Sequence, residues 1–175
     1  MISGDVVRTA ESFQQTVVEV RAILPWLRQF SPAVSFLGMS LGGIIGHLVM
    51  MVEPFPSAVT LLASGNSAGV TWEGRLTRHV RADIEHAGID RPRLEKIWAV
   101  TNATLLARHN KVKNLLMIAG KFDEIVQPKF TEELWKALGR PQIHWYPCAH
   151  YSSFFFMSAM IDEAARFLLQ QFSAH

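Results

Sequence analysis

The chain has 175 residues, of which 49% are hydrophobic and 18% charged, with a net charge of +2. That length supports one domain with its own core, the composition excludes a disordered chain, and the near-neutral charge argues against a nucleic-acid binder. One cysteine, Cys148, excludes an internal disulfide and a multi-cysteine metal site, and suits a reducing, cytoplasmic setting.

The opening MISGDVVRTAESF lacks a charged start followed by an apolar stretch, so no signal peptide is expected. Phe13, Val17, Val20, Leu24 and Leu27 then recur at steps of three and four, which predicts an amphipathic helix. Pro25 should kink or end it, and Ser31-Pro32 breaks the chain. Residues 32–52 are apolar enough to suggest a membrane span. Four glycines, two serines and His47 interrupt them, so they split into a strand at 33–38, a turn and a helix at 41–51. No stable membrane insertion is expected.

Residues 57–63 read as a second buried strand, ending in the loop SGNSAG. Residues 64–111 are long, mixed and helical, and read as an inserted cap or lid. The arginines at 75, 78, 81, 91 and 93 lie here among Glu73, Asp83, Glu85 and Asp90, the mixture of a solvated helix face. A third strand at 112–119 ends at Gly120, and a fourth covers 141–147. Helical patterns fill 129–138 and 157–171, the latter with Ile161, Ala165, Phe167 and Leu168 on one side. The alternation predicts an α/β fold: a mostly parallel sheet of about four strands flanked by helices, within a single domain spanning 1–175.

Gly38-Met39-Ser40-Leu41-Gly42 fits G-x-S-x-G between an apolar strand and an apolar helix, the setting of a nucleophile elbow. The turn strains the serine backbone. Side chains two positions either side of it would collide, so both positions call for glycine. Gly43 and Gly46 would let the helix approach the sheet. The alternative is a plain turn whose serine caps the helix. A hydroxyl needs a base, and the base needs an orienting acid. Candidates follow in GKFDEIVQP after the third strand and PCAHY after the fourth, both at the carboxyl edge where such sheets bind ligands. Glu124 competes with Asp123 as the acid, and His144 with His150 as the base. His47 reads as a satisfied helix residue, and His79, His86 and His109 belong to the inserted segment. Cys148 reads as a small packed residue. The histidines show no ligand spacing, so neither metal nor other cofactor is expected.

GMSLGG, GKFDEIV and PCAH, in that order along nearly the whole chain, resemble the α/β-hydrolase fold superfamily. The resemblance implies Ser40 as nucleophile, Asp123 as orienting acid, His150 as general base and the Leu41 amide as one oxyanion donor. It implies a serine hydrolase of carboxylesterase, lipase or thioesterase type, acting on a small-molecule acyl substrate. Val70, Trp72, Leu76, Ile84, Ile97 and Trp98 would line an acyl pocket or else pack the cap itself. The family pattern also has strands before the elbow and a loop giving a second oxyanion amide. Neither precedes residue 33 here, so the chain reads as the C-terminal portion of the fold. Two expectations follow. The elbow strand forms an exposed edge through which the chain pairs or exchanges elements with a second copy, giving a homodimer, or the chain is a fragment of a longer protein. With one oxyanion donor missing, acyl transfer is impaired, the alternative to a hydrolase being a non-catalytic remnant serving as an interaction module.

Overall fold

The computed structural model describes residues 2–31 and 33–173. Four strands, β1 (Phe36–Met39), β2 (Ser57–Leu61), β3 (Asn114–Gly120) and β4 (Gln142–Tyr146), form one sheet in the order β1-β2-β3-β4. Every pairing is parallel, so all four carboxyl ends share one edge. The crossovers are helical, as parallel strands require.

Helix α1 (Val6–Leu27) is capped by the Asp5 carboxylate, which accepts from the Arg8 N–H. It runs two residues past Pro25 and ends at Leu27, so the expected kink or end at Pro25 falls within the last turn. Strand β1 starts three residues later than expected. Phe36 pairs with Ala58, so residue 35 already lies level with Ser57, where β2 begins, and the Ser35 and Ser57 hydroxyls bond at 2.7 Å instead.

Helix α2 (Leu41–Val52) packs closely on the sheet. A Cβ at Gly43 would come within 2.6 Å of the Ala63 Cβ, and one at Gly46 would overlap the Phe36 ring. A Cβ at Gly38 would lie 2.7 Å from the Gly42 carbonyl oxygen. The expectation for Gly42 is corrected: a Cβ there meets nothing within 4 Å, because the position is exposed. Gly38→Ala should therefore cost about 1–3 kcal/mol through overpacking against backbone. Gly42→Ala should be neutral or add up to about 1 kcal/mol of helix propensity. Chemical denaturation of the two variants checks the contrast.

Between β2 and β3 the chain is helical: α3 (Ser67–Glu73), α4 (Arg78–His86), α5 (Arg91–Ile97) and α6 (Ala103–Leu106), with 3-10 turns around α6. The second half of SGNSAG is thus helix, because the Asn66 side chain accepts from Gly69 N–H and caps α3. Buried Val6, Ala68, Val80, Ile84, Leu94 and Trp98 form one small core, so the segment shares its packing with α1. The Trp98 indole N–H donates to the Val6 carbonyl at 2.8 Å.

After β3 come α7 (Pro128–Ala137) and, after β4, α8 (Met157–Ser173). Helices α1, α2, α6 and α7 bury one face of the sheet, and α8 covers the other. The buried face of α8 is Met160 and Ala164, with Phe167 and Leu168 beside them; the expected Ile161 and Ala165 are exposed. Leu37 and Met39 lie level with Val59 and Leu61, which pack on α8, yet they remain 45% and 37% exposed, because α8 does not reach β1. Among the described residues no helix is long and apolar enough to cross a membrane.

Candidate active site

Ser40 is the residue between the end of β1 and the start of α2. Its backbone has φ 51° and ψ −121°, a strained conformation for a non-glycine residue. The Ser40 N–H donates to the Leu61 carbonyl at 2.8 Å, which pins the turn to β2. The hydroxyl makes no capping bond to α2, so the reading of Ser40 as a helix cap fails. It meets His150 Nε2 at 3.0 Å instead.

His150 lies in the loop after β4, and its Nδ1 stands 2.7 Å from Asp123 Oδ2. A carboxylate can only accept, so Nδ1 carries the proton and Nε2 is left to accept from the serine. The other Asp123 oxygen, Oδ1, accepts from the Ile125 and Val126 N–H groups at 2.9 and 2.8 Å, which fixes the carboxylate plane. The acid and base loops are tied together, since Phe122 N–H donates to the Cys148 carbonyl at 3.0 Å. Asp123 and His150 are both buried, whereas Ser40 is partly open. A hydroxyl, an imidazole and a carboxylate 83 to 110 residues from the first are thus hydrogen-bonded in series. Such a series can move a proton off the hydroxyl without exposing the carboxylate to water.

The competitors stand elsewhere. Glu124 is exposed and makes no side-chain bond to His150. His144 bonds both oxygens of Glu163 on the α8 face, 2.9 Å from the nearer, and Tyr146 O–H donates to the same carboxylate. Burial and the neighbouring Asp123 carboxylate push the Cys148 thiol up, which keeps it protonated and inert. His79 and His86 are exposed on α4, and His109 accepts from Arg108 Nε. His47 is corrected: it is fully buried, and neither ring nitrogen has a partner among the described residues. Among those residues no group of three or more His, Cys, Asp or Glu side chains could hold a metal ion.

A cavity of about 490 Å³ is lined by Tyr151, the residue after His150; neither Ser40 nor His150 is among its lining residues. Leu76, Ile125 and Tyr151 give it an apolar wall, and the Tyr151 ring stands edge-on to His150 with centroids 6.1 Å apart. Of the six apolar residues expected to line an acyl pocket, Leu76 alone lines this cavity. Val70, Ile84 and Trp98 are core, and Trp72 and Ile97 pack against them.

No protein-family model matches the chain. It is 31% identical over 80 residues to YdjC of Bacillus subtilis, a match covering 45% of this chain and 68% of that protein. It is 25% identical over 180 residues to Rv2627c of Mycobacterium tuberculosis, covering 95% of this chain but 40% of that protein, so it spans well under half of that relative. Among solved structures, an esterase from Pyrococcus furiosus superposes with TM-score 0.62 at 15% identity, over 89% of this chain and 61% of the other. A hydrolase from Pseudomonas aeruginosa gives 0.61 at 18% identity, over 89% and 71%. The enol-lactonase of Burkholderia xenovorans gives 0.61 at 16% identity, over 90% and 73%. Elbow, strand order and these likenesses agree on the fold, which is that of the α/β-hydrolases, and the chain belongs to the family of YdjC.

Proposed function

We propose that the chain is a cofactor-independent serine hydrolase that cleaves an ester or related acyl bond through an acyl-enzyme. One observation carries the reading: Ser40 Oγ, His150 and Asp123 form a continuous hydrogen-bonded series, 3.0 and 2.7 Å, from a strained elbow. In the reaction, His150 Nε2 takes the hydroxyl proton as Ser40 Oγ bonds to the carbonyl carbon. The resulting oxyanion meets the N–H of Leu41, which as the first residue of α2 has no acceptor within the helix. Collapse breaks the bond to the leaving oxygen, which takes the proton from His150 and departs as an alcohol. A water then gives His150 a proton and attacks the acyl carbon. Ser40 leaves and is reprotonated, and the acid is released. The segment 64–111, through Leu76, would cover the acyl group.

The test is a fluorophosphonate probe, which phosphonylates an activated serine. The folded wild type should take up one label per chain, and Ser40→Ala none. A folded wild type that takes no label favours the second reading, a non-catalytic interaction module. Support for that alternative comes from β1, whose outer edge has no strand beside it among the described residues. Labelling that persists in Ser40→Ala overturns Ser40 as the nucleophile.

A further inference from the structure

Of the six arginines of the inserted segment, Arg81 and Arg91 are ion-paired and Arg108 donates to His109, whereas Arg75, Arg78 and Arg93 have no hydrogen bond or ion pair from the side chain among the described residues. Arg81 pairs with Glu85 at 3.0 Å, and Arg91 with Glu73 and Glu95 at 2.7 and 2.8 Å. These are the solvated ion pairs that the mixed composition suggests. Arg75 and Arg78 differ. Among the described residues neither guanidinium has an ion pair or hydrogen bond, and both line the cavity that Tyr151 lines. One carboxylate, Glu124, shares that lining, and His79 adds an imidazole, so permanent positive charge is in excess there.

The segment carrying these arginines is held in place. Arg75 N–H donates to the Glu124 carbonyl at 3.5 Å, and the Thr77 hydroxyl donates to the Thr71 carbonyl at 2.8 Å. A Cβ at Gly74 would lie 3.3 Å from the Ile125 carbonyl oxygen, so the turn lies against the loop that holds Asp123. Two unneutralised guanidiniums therefore line, from a segment held to the Asp123 loop, the same cavity as Tyr151, whose ring stands edge-on to His150. A guanidinium is a planar fork of donors that fits a carboxylate or a phosphate, and a short apolar stem would span the Leu76–Tyr151 wall.

We infer that the substrate is an acyl ester bearing an anionic group, carboxylate or phosphate, seated by Arg75 and Arg78. The inference rests on the hydrolase reading for its turnover and on the cavity for its binding. The test compares matched esters. One pair is p-nitrophenyl butyrate and mono-p-nitrophenyl glutarate; the other is 1-butanoylglycerol and its 3-phosphate. In at least one pair the anionic member should have a kcat/KM about tenfold or more above the neutral one. Arg75→Gln with Arg78→Gln should bring that ratio close to one, through KM. The pair that responds tells carboxylate from phosphate. A preference for the neutral member in both pairs, or a ratio that survives the double substitution, overturns the inference. Calorimetric titration of Ser40→Ala with glutarate and with glycerol 3-phosphate separates the two readings. An anion that binds Ser40→Ala and not the triple variant supports the site even if no ester is cleaved, in which case the hydrolase reading falls. If neither anion binds, the site falls whatever the enzyme hydrolyses.

Discussion

Asp123→Asn is expected to lower kcat by about 10⁴-fold while leaving the fold intact, as loss of an orienting carboxylate does in a serine–histidine–aspartate series. The size follows from how Asp123 is held. Its Oδ1 accepts two backbone N–H groups, from Ile125 and Val126, and an amide oxygen would accept them equally well. The amide NH₂ is thereby forced into the Oδ2 position, facing His150 Nδ1, which it can only donate to. The ring proton must then move to Nε2, and Ser40 faces an N–H that cannot take its proton. Melting temperature should stay within a few degrees of wild type, because the loop keeps both backbone bonds. Asp123→Ala loses those bonds as well and should also loosen the loop. Steady-state kinetics on a p-nitrophenyl ester with a parallel thermal melt checks this. An asparagine variant within tenfold of wild type would remove Asp123 from the role.

A second large effect is expected in acid. His47 lies on α2 with no exposed surface and no partner for either ring nitrogen among the described residues, and burial pushes its pKa down from 6.5 to about 4. The sign follows from linkage. Above pH 6.5 the ring is neutral in both states and folding is unaffected. Between 6.5 and about 4 the unfolded chain takes a proton that the native protein refuses, so stability falls with pH. The total is about 3 kcal/mol, lost by the time the native ring titrates near pH 4. His47→Leu, close in volume and without a polar atom, should lack that part of the slope. Urea denaturation of both proteins from pH 4 to 7 decides it: curves that run parallel would rule out His47 as the origin.

Most of the architecture was legible because apolar runs of strand length alternate with helical periodicity, and both polar partners of Ser40 follow strands that run the same way. Limits appeared wherever a neighbour, not the chain itself, decides. Strand β1 starts at Phe36 because β2 begins at Ser57, a register no local pattern encodes. The buried face of α8 is one residue out of step with the expected one, since Met160 and Ala164 follow the same spacing as Ile161 and Ala165. His47 reads as satisfied because whether a buried ring finds a partner is decided by packing that its own helix does not encode. Arg75 and Arg78 had a readable signal that composition hides. Glu85 and Glu95 stand four residues after Arg81 and Arg91, where helical geometry pairs them, while His79 and Ala82 occupy the equivalent places after Arg75 and Arg78.

Among the described residues β1, which leads into Ser40, is anchored by one ladder, to β2, where β2 and β3 each have two. Met39, its last residue, is joined directly to Ser40, so the stiffness of the elbow depends on the most weakly braced member of the sheet. A polypeptide that laid itself along that outer border would tighten the mount of Ser40 without touching its hydroxyl. Pairing along that border and binding at the Ser40 hydroxyl would then be linked, each strengthening the other by one shared free energy.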